Sequence, residues 1–161
     1  MQNYLQILIT GAIGLITTVA AAYLSARWAV RWALHQKWWE RKLSAYIEII
    51  DALHDLLRYS SICAEEYWDN TEEHPEKEKF GTQYSEAYWK IQKMTDVGPF
   101  IISKAAADIL KTLREKPQLA WNDNPLCEIY DADCAHYREA LNGIKRCAMK
   151  DLKIKTNTGR P

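Results

Sequence analysis

Residues 4–24 read YLQILITGAIGLITTVAAAYL, and the fold turns on how this stretch is read. No charged side chain occurs between Met1 and Ala26. At about 1.5 Å per residue, the stretch is long enough to cross roughly 30 Å of hydrocarbon as one helix. Thr10, Thr17 and Thr18 are compatible with lipid, because a threonine hydroxyl can return its hydrogen bond to the preceding turn of its own helix. Tyr4 at one end and Tyr23, Trp28 and Trp32 at the other suit the two amphipathic interface layers. The expectation is a transmembrane anchor over residues 1–26. The competing reading is a cleaved secretory signal, with Ala20, Ala21, Ala22 and Ala26 as small residues for a peptidase. Such a signal opens with positive charge, whereas here the charge follows the apolar run.

That charge is a collar. Between Arg27 and Lys42 stand five bases, Arg27, Arg31, Lys37, Arg41 and Lys42, against the single acid Glu40. Residues 43–79 hold ten acids and three bases, and the remainder is mildly basic, so the formal net charge of +0 conceals a cationic collar, an acidic middle and a mixed distal part. The positive-inside rule keeps the collar in the cytoplasm and leaves the short N-terminus outside. A balanced total gives no electrostatic reason to expect a nucleic-acid partner. Cys63, Cys127, Cys134 and Cys147 fit a reducing compartment, since their spacings suggest no disulfide framework. Within the span, Thr10, Gly14, Thr18, Ala22 and Ala26 recur every four residues and form a ridge of small side chains on which two helices could approach closely.

Neither glycine nor proline occurs between Gly14 and Pro75, so nothing local stops the helix at the membrane surface. The apolar positions Leu43, Tyr46 or Ile47, Ile50, Leu53, Leu57, Ser61 or Ala64, and Tyr67 or Trp68 follow three-and-four spacing, which predicts a long amphipathic helix over 27–68. Residues 69–79 carry no apolar side chain and include Pro75, as a solvated acidic connector would. The remaining helices are expected within 80–152. One runs from about Thr82 to Thr95 with Tyr84, Tyr88, Ile91 and Met94 inward. A second is capped by Ser103 and ends near Lys116, with Ala106, Ile109, Leu110 and Leu113 inward. A third spans about Leu126 to Leu152, with Tyr130, Cys134, Tyr137, Leu141, Ile144 and Ala148 inward. Trp121, in the loop between the last two, is expected to plug the bundle, and the basic tail 153–161 to be disordered. The fold class is therefore all-α: one N-terminal transmembrane helix continuing into a cytoplasmic antiparallel helical bundle.

The string Trp38-Trp39-Glu40-Arg41-Lys42 sets two tryptophans about 100° apart on a helix, where they cannot share one core stripe. Together with Trp28 and Trp32 they are candidate interface anchors, and Arg27, Arg31, Lys37, Arg41 and Lys42 are candidate topology determinants and contacts for anionic lipid. Continued through Leu43-Ser44-Ala45-Tyr46 and the run Ile49-Ile50-Asp51-Ala52-Leu53, this string resembles a group of small, uncharacterised bacterial membrane proteins with a single N-terminal span. The resemblance extends through the Ile102-Ser103 helix to Lys150-Asp151-Leu152-Lys153. It implies a bacterial source and the fold already described, and it brings no catalytic residues; the membrane expected for the span is then the bacterial inner membrane. It also suggests a neighbourhood in anti-phage defence loci.

Chemistry has one candidate constellation. Asp51 with His54 and Asp133 with His136 repeat an Asp-x-x-His spacing that places carboxylate and imidazole on one helix face, as in the paired Glu-x-x-His ligands of di-iron bundles, with Glu86 and Asp108 as the nearest further carboxylates. Aspartate is shorter than glutamate and His136 lies off the inward stripe, so exposed helix charges explain these residues adequately, and no metal or other cofactor is expected. Gly-rich phosphate loops, Gly-x-Ser-x-Gly and His-Glu-x-x-His are absent from the sequence, and no enzymatic activity is expected. The leading expectation is a non-enzymatic, membrane-anchored protein whose bundle binds a partner protein or a second copy, or transmits a signal. Its motivation is the surplus of aromatics, including Tyr59, Tyr67, Trp68, Tyr84, Tyr88 and Trp89. The first alternative is a membrane-perturbing effector or toxin that oligomerises through its span, and the second is a metal-binding bundle enzyme. Gly14→Leu separates anchor from effector in a membrane-potential dye assay, abolishing depolarisation by an effector and leaving an anchor unaffected.

Overall fold

The computed structural model describes residues 2–69, 74–116 and 124–153; of residues 2–16 and residue 20, only the backbone is described. Helix α1 runs unbroken over Gln2–Asp69, as the lack of glycine and proline after Gly14 permits. It is followed by α2 (Lys77–Val97), a single 3-10 turn (Gly98–Phe100), α3 (Lys104–Glu115) and α4 (Leu126–Asp151). Among the described residues there is no strand, and the chain is all-helical. It divides into two units, Met1–Glu40 and Arg41–Pro161.

In the second unit, cross-contacts set the register. Along α1 and α4, Tyr46 meets Asp151, His54 lies beside Lys145, Ser61 is 3.5 Å from Cys134 and Trp68 donates to Asp131 at 2.8 Å. One number rises as the other falls, so these helices are antiparallel. The same holds for α1 and α2, through Tyr59 against Tyr84 and Glu66 against Lys77, and for α3 and α4, through Lys116 against Glu139 and Ile109 against Gly143. The bundle is an antiparallel four-helix packing, in which α1 contributes its distal part.

The core seam of α1 runs through Tyr46, Ile49, Leu53, Leu56, Ser60 and Cys63, all buried at 3-4-3-4-3 spacing. Of the stripe expected from sequence, Tyr46, Leu53 and Ala64 are buried, whereas Ile50 and Leu57 are only half-buried and Ile47, Tyr67 and Trp68 are exposed. An apolar face more than 100° wide admits both choices, and it is the packing of three partner helices that selects between them. Opposite this seam lie Ala87, Ile91 and Met94 of α2, Ala106 and Leu110 of α3, and Tyr137, Leu141, Ile144 and Ala148 of α4. Fully burying a Leu- or Ile-sized side chain contributes roughly 1.5–3 kcal/mol.

Helix α2 begins at Lys77 rather than near Thr82, since Gly81 is accommodated in its first turns beside Tyr59. Ser103 stands at the N-cap position of α3, but its side chain makes no capping bond; its hydroxyl lies 3.2 Å from that of Tyr46. Gly143 is buried where α3 crosses α4, and a Cβ there would sit 2.9 Å from Ile109 Cδ1. The glycine that weakens α4 as a helix thus lets the two helices approach closely. Trp121, residues 70–73 of the connector and residues 154–161 of the tail lie outside the described residues.

Candidate functional site

Two features of the surface and interior carry functional content. The first is the N-terminal unit. Every side chain described in it, from Thr17 to Glu40, is exposed, including Tyr23, Leu24, Trp28, Val30, Trp32, Leu34, Trp38 and Trp39. Of these large apolar side chains Trp28 is the most open, at 76%. The collar residues Arg27, Arg31 and Lys37 lie on the same helix, and Arg27 reaches back 3.4 Å to the Tyr23 hydroxyl. Among the described residues no helix is long and apolar enough to cross a membrane. The side chains of most of the apolar run, Thr10 and Gly14 included, lie outside the description, whereas Thr18, Ala22 and Ala26 of the small-residue ridge are exposed.

The second feature is a cleft of about 370 Å³ between the bundle helices. Leu56, Ile91 and Leu113 form its apolar lining with Tyr88 and Tyr137, and Asp133, His136, Gln92, Arg114 and Lys116 supply its polar groups. Asp133 makes no hydrogen bond or ion pair among the described residues, and burial pushes its carboxyl up to about 6. His136 is shifted the other way, first by burial and then by the charge of Lys116, which favours neutral imidazole. Arg114 and Lys116 are each engaged at the rim, with Asp96 and with Glu139, both at 2.7 Å.

Of the four residues considered for a metal, Asp133 and His136 line this cleft. Asp51 and His54 do not; both are exposed, and His54 Nε2 lies 3.4 Å from Lys145 Nζ. The two Asp-x-x-His pairs are therefore not brought to one centre, and among the described residues no group of three or more metal-ligating side chains is assembled. Cys63 is fully buried, and burial raises its thiol above the ordinary value, the reverse of what a nucleophile needs. Around it, Tyr59, Tyr84, Tyr67 and Tyr130 form a chain of ring contacts at 4.8–6.5 Å, and Tyr84 and Tyr137 hydroxyls meet at 3.1 Å. Tyr59 and Tyr84, two of the aromatics that motivated a partner surface, are thus spent on packing within the bundle, while Tyr67, Trp68 and Trp89 remain exposed. No family model, curated protein or solved structure matches this chain.

The unpaired carboxylate has a measurable cost. Asp133 titrates near 6 in the folded chain against an ordinary 3.8, so the folded state binds more protons than the unfolded one across that interval and loses stability as pH rises through it. Asp133→Asn is expected to stabilise the bundle by about 1–2 kcal/mol near pH 7.5, after discounting the full shift for the open side of the cleft, and by nothing below about pH 4. Urea unfolding at the two pH values checks this. An equal effect at both would mean that the carboxylate's charge is not the cause.

Proposed function

We propose that the chain is a non-enzymatic inner-membrane anchor: residues 4–24 span the bilayer with the N-terminus outside, and the helical bundle on the cytoplasmic side holds a partner protein there. The observation that supports partner binding is the position of Trp38 and Trp39. Along one straight helix they lie about 21 Å beyond Leu24. The headgroup layer on each side of the hydrocarbon is only about 5–8 Å deep. A tilt of about 40°, the upper end of what spans adopt, still leaves roughly 16 Å. Trp28, about 6 Å past Leu24, is within the layer. Trp38 and Trp39 are beyond it, yet they are 59% and 42% exposed. Lipid accounts for the first tryptophan, and a protein surface is the natural cover for the last two, flanked as they are by Lys37, Arg41 and Lys42.

Photocrosslinking in intact cells tests this. Benzoylphenylalanine in place of Trp39 is expected to give a protein adduct, either a dimer or a heavier hetero-adduct, whereas the same probe in place of Trp28 gives none. Protein adducts at neither position would leave the collar as a lipid contact only and remove the support for a partner.

A further inference from the structure

We propose that the cleft between α2, α3 and α4 is a binding site for a small organic cation, an ammonium group carried on an apolar body, with Asp133 as its counter-ion. Every residue of this site belongs to the bundle, so the site needs neither the membrane span nor a protein partner. Charge accounting favours a cation. Arg114 and Lys116 are matched at the rim by Asp96 and Glu139, and Asp133 is the lining charge left without a counterpart among the described residues. An anionic ligand would meet that carboxylate inside the cleft, where reduced solvent screening strengthens repulsion. The walls suit the rest of such a molecule: Leu56, Ile91 and Leu113 offer apolar contact, and Tyr88 and Tyr137 add aromatic surface. A volume of about 370 Å³ falls at the small end of the range occupied by ligand pockets. Asp133 also explains why the cleft is kept polar: without a ligand it is a half-buried charge that lowers stability, and an ammonium ion would supply the charge-assisted hydrogen bond it lacks.

The probe is phenethylamine, titrated calorimetrically into the purified full-length chain at about pH 7.5, with 2-phenylethanol as its neutral counterpart and 3-phenylpropionate as its anionic one. The amine is expected to saturate a single site. The alcohol is expected to bind at least about tenfold more weakly, the difference that one charge-assisted hydrogen bond makes, and the carboxylate not at all. Asp133→Asn is expected to abolish the preference for the amine with the helical circular dichroism unchanged. Leu113→Trp, which fills the apolar lining and leaves the charge in place, is expected to abolish binding of amine and alcohol alike. The proposal is overturned if the amine does not saturate, if the alcohol or the carboxylate binds as tightly, if the preference survives in Asp133→Asn, or if Leu113→Trp still binds the amine.

Discussion

Tyr46→Ala is expected to destabilise the bundle by about 3–5 kcal/mol, a large part of the roughly 5–15 kcal/mol available to a domain. Tyr46 is the largest fully buried side chain among the described residues, at 1% exposure, and it ties three helices at one end of the bundle. Its hydroxyl donates to Asp151 at the end of α4 and lies 3.2 Å from Ser103 Oγ at the start of α3; Lys42 Nζ closes the group 3.4 Å from the Asp151 carboxylate. Burial, and then the Asp151 hydrogen bond, push the Tyr46 hydroxyl up to about 12, so it remains a donor at any ordinary pH. For Asp151, burial works against the charge, but the bonds from Tyr46 and Ser103 and the charge of Lys42 outweigh it and hold the carboxyl below its ordinary value. Its contribution to stability is therefore present above about pH 4 and is lost as pH falls through the depressed value. Tyr46→Phe keeps the packing and removes only the hydroxyl, at an expected cost of about 1–2 kcal/mol. Urea denaturation of the two variants separates packing from hydrogen bonding. A cost below about 1 kcal/mol for Tyr46→Ala would contradict the buried placement.

Leu15→Arg is expected to have the largest effect on location. Residue 15 lies near the middle of the proposed span, where an arginine disfavours insertion by about 2.5–3.5 kcal/mol, or about a hundredfold in the ratio of inserted to uninserted chain. Leu15→Phe preserves hydrophobicity and serves as the control. The fraction of each variant retained in membranes after alkaline carbonate extraction provides the readout. Equal retention of Leu15→Arg and wild type would mean that residues 4–24 are not what holds the chain in the membrane.

What the sequence made legible was local. Helix class, the long unbroken α1, the break at Gly98-Pro99 and the inward faces of α3 and α4 follow from periodicity and from where glycine and proline fall. What it concealed depends on partners distant in the chain. The hydroxyl of Ser103 looks like a helix cap until Tyr46, 57 residues away, competes for it. Tyr46 rather than Ile47, and Leu56 rather than Leu57, become core because α4 and α2 approach α1 from that side. Asp133 reads as one of two metal-ligand pairs, and only the assembled bundle separates it from Asp51 and His54 and leaves it unpaired in a cleft among the described residues. The signal that could have found it is its spacing on α4, three residues after Tyr130 and four before Tyr137, where a carboxylate is an exception to the rule that buried charges are paired.

A single span with the bundle on the cytoplasmic side is open to test by protease accessibility of the wild-type chain in a bacterial host. Trypsin added to spheroplasts is expected to leave the bundle intact, and trypsin added to inverted membrane vesicles to remove it while a fragment containing residues 4–24 stays with the membrane. Digestion of the bundle from the spheroplast side, or its recovery in the soluble fraction, would contradict that topology.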